Sequence, residues 1–257
     1  MTENPDAAIV ARLRAAGCVF AEDEARLLAE AAETPEELDA LVARRVAGEP
    51  LEPLLGFAEF CGLRIHVEPG VFVPRQRTAM LAEHAAALAE PGMPVLDLCC
   101  GAGAIGAVVA ARVPGAELYA ADIEPVAVRC AAINLPGAGV FQGDLFDPLP
   151  AALRGRLGVI AVNAPYVPTE AIALMPPEAR LHEPAVALDG GADGLDIHRR
   201  VAAEAAHWLA PGGVLLIEAS EEQAPVSAAL FAAAGMAVRV ESDDERGATL
   251  VRAERPR

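Results

Sequence analysis

The chain has 257 residues and a formal net charge of −17, with 37 Asp and Glu against 20 basic residues, every one of them Arg. Its 54% apolar content is swollen by Ala, which fills 57 positions, and only 4% of residues are aromatic, so what remains is an ordinary globular allotment. No run reaches the roughly 18 strongly apolar residues of a bilayer-crossing helix, and residues 1–8 are acidic and polar where a secretory leader is basic and then apolar. Neither a membrane span nor a signal peptide is expected, and the predicted location is the cytoplasm. The acidic balance disfavours nucleic acid as a partner, because sequence-independent affinity comes largely from Lys and Arg displacing phosphate counterions. The five cysteines, Cys18, Cys61, Cys99, Cys100 and Cys130, include no CxxC pair and no His at ligand spacing, so neither a disulfide framework nor a metal site is expected.

The first 50 or so residues read as short helices. Ile9, Val10 and Leu13 form one apolar stripe, Ala25, Leu28 and Ala32 a second, and Leu38, Leu41, Val42 and Val46 a third. Thr34, Pro35 and Glu37 are a start signal for the third helix, as N-cap, first helical residue and capping-box acid. Gly48, Pro50 and Pro53 close this region, giving a helical domain over 1–52. Residues 53–73 then read as a hairpin joining two domains: Leu63, Ile65 and Val67 alternate with Arg64, His66 and Glu68 after the break at Cys61-Gly62. His66 falls on the polar strand face and is read as solvated.

From residue 74 to 257 the pattern is that of an α/β domain. An Ala-rich helix is predicted over 78–89. Short apolar strands over 94–98, 118–121, 139–142, 159–162 and 214–217 alternate with helices over 104–112, 125–134, 195–209 and 221–234. Such alternation means an open parallel sheet covered on both faces. The end departs from it, with an antiparallel hairpin over 237–240 and 249–252 around the polar turn at 242–247.

Four polar residues stand at or just beyond successive strand ends: Asp97, Asp122, Asp144 and Asn163. In an open α/β sheet the ligand lies outside the carboxyl ends of the strands, so the fold brings these residues to one edge. The first strand runs into Gly101, Gly103 and Gly106, a GxGxxG pattern that by itself is shared with dinucleotide enzymes. Asp97 discriminates: a carboxylate there would repel a pyrophosphate, but it suits a ligand carrying an ammonium and a sulfonium, such as S-adenosylmethionine. Asp122 is placed for both ribose hydroxyls and Asp144 for the adenine amino group, with Leu145 or Ile123 against the ring. Asn163-Ala164-Pro165-Tyr166 speaks of chemistry on nitrogen. An amide or exocyclic amine is a poor nucleophile, and a site can improve it by accepting its N–H groups, here on the Asn163 side-chain oxygen and the carbonyl of Ala164. Tyr166 can stack on the planar target and Pro165 stiffens the turn.

The chain resembles the HemK-type protein-(glutamine-N5) methyltransferases, whose members methylate the Gln of the Gly-Gly-Gln motif in peptide-chain release factors. The likeness runs from about Gly48 to the end. It takes in Leu54-Leu55-Gly56, Glu59-Phe60, Pro69-Gly70, Pro74-Arg75-Gln76-Arg77-Thr78, the glycine loop, Gly143-Asp144-Leu145-Phe146, Glu183-Pro184, Asp189-Gly190-Gly191, Asp193-Gly194-Leu195 and Pro211-Gly212-Gly213. It implies a class I adenosylmethionine-dependent methyltransferase fold: Rossmann-like, α/β, with a mostly parallel seven-stranded sheet ending in an antiparallel hairpin, plus a small N-terminal helical domain. It implies that Asp97, Gly101, Gly103, Asp122, Asp144 and Asn163 surround the cofactor, to which Cys99, Ile123 and Leu145 are added as candidate contacts, and an acceptor set of Asn163, Ala164, Pro165 and Tyr166, with a protein such as a release factor as substrate. Four features depart from the family pattern. Ala164 replaces its first Pro, Cys99-Cys100 replaces a small polar pair, and Ser220 stands where Gly is common. Gln76-Arg77-Thr78-Ala79 lacks the usual acids around the Thr, and the helical part is also shorter than typical. The same loop would serve an RNA, DNA or small-molecule amine methyltransferase, and loss of rigidity at Ala164 would suit a module that only binds the cofactor. The charge of −17 and the absence of a basic stripe weigh against nucleic acid.

Overall fold

A computed structural model describes residues 5–257. The acidic start over 1–8 therefore falls partly outside the described residues. Four helices open the chain, α1 (Pro5–Ala15), α2 (Ala21–Ala31), α3 (Pro35–Val46) and α4 (Leu51–Leu55). They close around Leu13, Ala21, Leu28, Val42 and Leu54. Thr34 Oγ1 accepts from the N–H of Glu37 at 3.1 Å, the cap that the Thr-Pro-x-Glu signal predicts. Val46, the last member of the third stripe, lies outside this core and is exposed. The stop expected at Pro50 and Pro53 is instead a helical turn. Pro is tolerated in a first turn, whose N–H groups have no intrahelical acceptor, so α4 forms and packs Leu54 onto the helices before it. α4 thus straddles the expected division at residue 52.

The hairpin of β1 (Phe57–Phe60) and β2 (Leu63–His66) turns on Cys61 and Gly62, both at positive φ (50° and 79°), the two-residue geometry that matches strand twist. It is more than a joining piece. Ala58, Phe60, Ile65 and Val67 share a core with α5 (Ala79–Leu88) and α6 (Ala104–Arg112). His66 is only partly solvated: Nε2 is enclosed 3.6 Å from Glu68 Oε1, without a hydrogen bond.

The remaining elements are β3 (Pro94–Leu98), β4 (Glu117–Asp122), α7 (Pro125–Asn134), β5 (Gly139–Gln142), β6 (Leu157–Val162), α8 (Pro177–His182), α9 (Asp196–Trp208), β7 (Leu209–Glu218), α10 (Ala224–Ala233), β8 (Ala237–Asp243) and β9 (Ala248–Glu254). The seven-stranded sheet has the order β5-β4-β3-β6-β7-β9-β8, with β9 antiparallel to both its neighbours and the other pairs parallel. Strand order reverses between β3 and β6, which opens a crevice at their carboxyl ends. On one face the core holds Val95, Leu81, Val108, Val159 and Leu216. On the other, Leu96, Leu98, Ile160 and Leu215 pack with Phe146 and Trp208, whose rings stack at 5.7 Å.

β7 is longer than the predicted 214–217. It starts at Leu209, paired with Leu157, and the register shifts before Val214 pairs with Val159. Pro211-Gly212-Gly213, which falls before the predicted strand, is the irregularity inside it. A Cβ on Gly213 would sit 2.7 Å from the carbonyl oxygen of Leu157, so only Gly allows the pairing there. In the C-terminal hairpin β8 starts at Ala237 as expected but continues to Asp243, and β9 is longer than expected at both ends.

Candidate active site

β3 leads into the glycine loop, where Cys99, Gly101 and Gly103 all have positive φ (57°, 52° and 76°). Leu145, just beyond β5, does too at 48°. Positive φ is uncommon for a residue with a Cβ and occurs where surrounding structure holds it. Cys99 and Leu145 are two such residues, and both line one cavity.

That cavity lies over the carboxyl ends of β3, β4 and β6. Its wall includes Cys99, Gly101, Asp122, Ile123, Asp144, Leu145 and all of Asn163-Ala164-Pro165-Tyr166. Asp97 and Gly103 are not in the wall. Asp97 is 1% exposed and turns under the loop toward α6, where its Oδ2 accepts from the N–H of Gly106 at 2.8 Å. Its Oδ1 has no partner, and burial pushes its pKa up to about 8. α6 packs over the Asp97 side chain, which commits Oδ2 to the helix. Gly106 makes that possible, since a Cβ there would press on Leu135 at 3.0 Å.

Asp122 ends β4. One carboxylate oxygen accepts from Gly101 N at 2.8 Å and the other from Glu124 N at 2.9 Å. Each oxygen keeps a lone pair for a hydroxyl group, and burial raises its pKa against these two hydrogen bonds. Asp144 is paired with Arg200 of α9 at 2.8 Å, a partner that strand-end spacing could not indicate. Ile123 is 47% exposed, an apolar face beside these acids. Two separated carboxylates and an apolar face beside a glycine loop suit a ligand that joins hydroxyls and a planar base. S-Adenosylmethionine fits this donor set. The Cys99 and Cys100 thiols are pushed up by burial and by the neighbouring aspartates, which disfavours the thiolate a nucleophile needs.

Asn163 follows β6. Its Nδ2 lies 3.4 Å from Oγ1 of Thr78, a buried residue at the start of α5, which leaves the side-chain oxygen for the cavity. Tyr166 is braced from three sides. Its hydroxyl donates to Glu218 Oε1 at 2.9 Å, Arg77 Nε donates to that hydroxyl at 3.0 Å, and Gln223 Nε2 donates to its carbonyl at 2.8 Å. The Asp189-Gly190-Gly191 and Asp193-Gly194 motifs explain themselves here. Asp189 pairs beside Val167 and takes Thr169 Oγ1 at 2.7 Å, while Gly194 presses so closely that a Cβ would sit 2.2 Å from the Tyr166 carbonyl oxygen. Glu183 accepts from Arg75 at 2.6 Å and from Val73 N at 3.2 Å, and so holds the 70–78 segment as the opposite wall. Thr78, Glu183, Arg200, Glu218 and Gln223 were thus missed as site residues. Thr78 and Glu183 carried a signal, in the Pro74–Thr78 segment and the Glu-Pro step.

The fold and this site define a methyltransferase of the S-adenosylmethionine-dependent α/β class. The model of the methyltransferase small domain family matches residues 62–176. A release factor glutamine methyltransferase from Geobacter sulfurreducens is 38% identical over 220 residues, covering 83% of this chain and 76% of that protein. A 4-amino-L-phenylalanine/4-methylamino-L-phenylalanine methyltransferase from Streptomyces pristinaespiralis is 37% identical, covering 76% and 69%. Among solved structures, a methyltransferase from Pyrococcus furiosus superimposes with a TM-score of 0.58 at 15% identity, covering 77% of this chain and 91% of that one, and shares the fold. The chain belongs to the release factor glutamine methyltransferase family.

Proposed function

We propose that this enzyme methylates the side-chain amide nitrogen, N5, of a protein glutamine, and that the Gly-Gly-Gln glutamine of a peptide-chain release factor is its acceptor. The observation that carries this reading is the Asn163 amide, whose nitrogen is spent on Thr78 and whose oxygen is left for the cavity. That oxygen and the Ala164 carbonyl accept the two N–H groups of the acceptor amide and turn its lone pair toward the transfer. Tyr166 packs on the amide plane. The bound cofactor supplies an electrophilic methyl group on its sulfonium. As the new N–C bond forms, the bond from that methyl to sulfur would break with its electron pair going to sulfur, leaving a neutral thioether, and the nitrogen sheds its proton to water, so no protein base is required. Tyr166 is not that base: burial and Glu218 push its phenol pKa up, and its hydroxyl remains a donor. Asp122, Ile123, Asp144 and Leu145 hold the adenosine part, with Cys99 and Gly101 beneath, while Asp97 and Gly103 shape the loop.

A protein acceptor is favoured over RNA or DNA by the arginines of the cavity wall. Arg75, Arg77 and Arg200 are each paired with a carboxylate, Glu183, Glu218 and Asp144, so the wall offers a phosphate no net positive charge. With a release factor as acceptor, the enzyme works in the cytoplasm. Among the described residues no helix is long and apolar enough to cross a membrane. Purified release factor incubated with the enzyme and radiolabelled S-adenosylmethionine tests the reading. Label recovered as N5-methylglutamine supports it, and label recovered in RNA from a cell extract overturns it.

A further inference from the structure

A second cavity, of about 500 Å³, lies on the far side of Tyr166. Arg77 and Tyr166 belong to its wall as well as to that of the first cavity, and Glu218, Glu221, Asp243 and Asp244 are the other charged residues lining it. Four carboxylates therefore face one guanidinium, and that guanidinium already gives its Nε to Tyr166 and Glu218. Arg246 approaches Asp243 at 3.5 Å but holds Glu83 at 2.6 Å. Glu218 is 2% exposed, and while its Oε1 takes both the phenol and the guanidinium, its Oε2 has no hydrogen-bond partner. A buried carboxylate oxygen lacking a donor is the group most improved by a cationic one.

We propose that this cavity receives a cationic side chain, guanidinium or ammonium, carried by the acceptor chain next to the methylated glutamine. The glutamine itself rests on the reading above. Because Tyr166 forms a wall of both cavities, a chain whose glutamine reaches Asn163 carries its neighbouring residues past Tyr166 to the acidic side. The site selects for basic flanks and against acidic ones, which four carboxylates repel.

The test uses two acetylated peptides with a central Gly-Gly-Gln-Gly flanked by Arg or by citrulline, which keeps the shape of Arg and removes its charge. Binding to the full chain loaded with S-adenosylhomocysteine is measured by calorimetry. The arginine peptide is expected to bind at least about tenfold more tightly, as a charge-assisted contact predicts. In Asp243→Asn/Asp244→Asn, whose exchanges lie at the β8–β9 turn, the ratio should fall below about threefold. Equal affinities in the wild type, a ratio unchanged in the double variant, or failure of the arginine peptide to bind overturns the cation site. Mass spectrometry of the same peptides separates the two claims. Arginine preference without N5-methylglutamine overturns the glutamine reading and upholds the cation site. Methylation of both glutamines with equal affinity does the reverse.

Discussion

The hydroxyl of Thr78 lies 3.4 Å from Nδ2 of Asn163, and through that contact the start of α5 decides which face of the Asn163 amide the cavity meets. With the nitrogen turned to Thr78, an acceptor amide meets an oxygen. Thr78→Val removes the contact at nearly constant volume. The expected result is a fall of roughly tenfold in kcat/KM for the protein acceptor, with the Kd for cofactor changed less than about twofold. A variant that lost both equally would place Thr78 in the scaffold alone.

Gly194→Ala should be costly although the substitution adds one methyl group. The residue has φ of +76°, and the new Cβ would lie 2.2 Å from the Tyr166 carbonyl oxygen and 2.3 Å from Gln223 Nε2. A loss of about 2 kcal/mol or more in stability is expected from strain and displacement together. Methyl transfer should fall further than the folded fraction does, since the shifted loop carries Tyr166. Denaturant titration beside initial rates makes the comparison.

Ala164→Pro should be tolerated. Pro stiffens the turn and retains the carbonyl, and among the described residues the N–H of Ala164 meets no backbone acceptor. Turnover equal to or above that of the wild type is expected. A loss of more than about tenfold would show that the loop has been rebuilt around Ala.

Asp97 gives a pH dependence whose sign can be worked out. Its pKa in the folded chain, about 8, lies above the usual 3.8. Between those values the folded chain keeps a proton that the unfolded chain has lost, so stability falls as pH rises through this window, and the full penalty stands above about pH 8. Asp97→Asn removes the titration. The melting temperature of the variant should decline less between about pH 5 and 8 than that of the wild type. Identical slopes would show that Asp97 is ionised throughout.

Much of this site was legible because a parallel sheet aligns its strand ends. Asp122, Asp144 and Asn163 fall along one edge once the strands are recognised, and the resemblance supplied what they hold. Asp97 shows the limit of that reasoning. Spacing places it at the edge but carries nothing of the bond that its Oδ2 accepts from Gly106 N, which only the docking of α6 over the strand end creates. Arg200 with Asp144, Gln223 with Tyr166 and Arg77 with Glu218 join residues 56 to 141 positions apart, separations over which no periodicity carries information. The start of β7 was hidden for another reason. Pro-Gly-Gly is a sound turn signal, and here the strand continues through it because Gly213 admits the Leu157 carbonyl.

The account turns on the Asn163 oxygen. The most direct measurement is the rate of N5-methylglutamine formation by Asn163→Ala at saturating cofactor, with the Kd for S-adenosylmethionine determined on the same preparation. A fall of at least about a hundredfold in rate with a Kd weakened less than about tenfold is predicted. Turnover at the wild-type rate would contradict it.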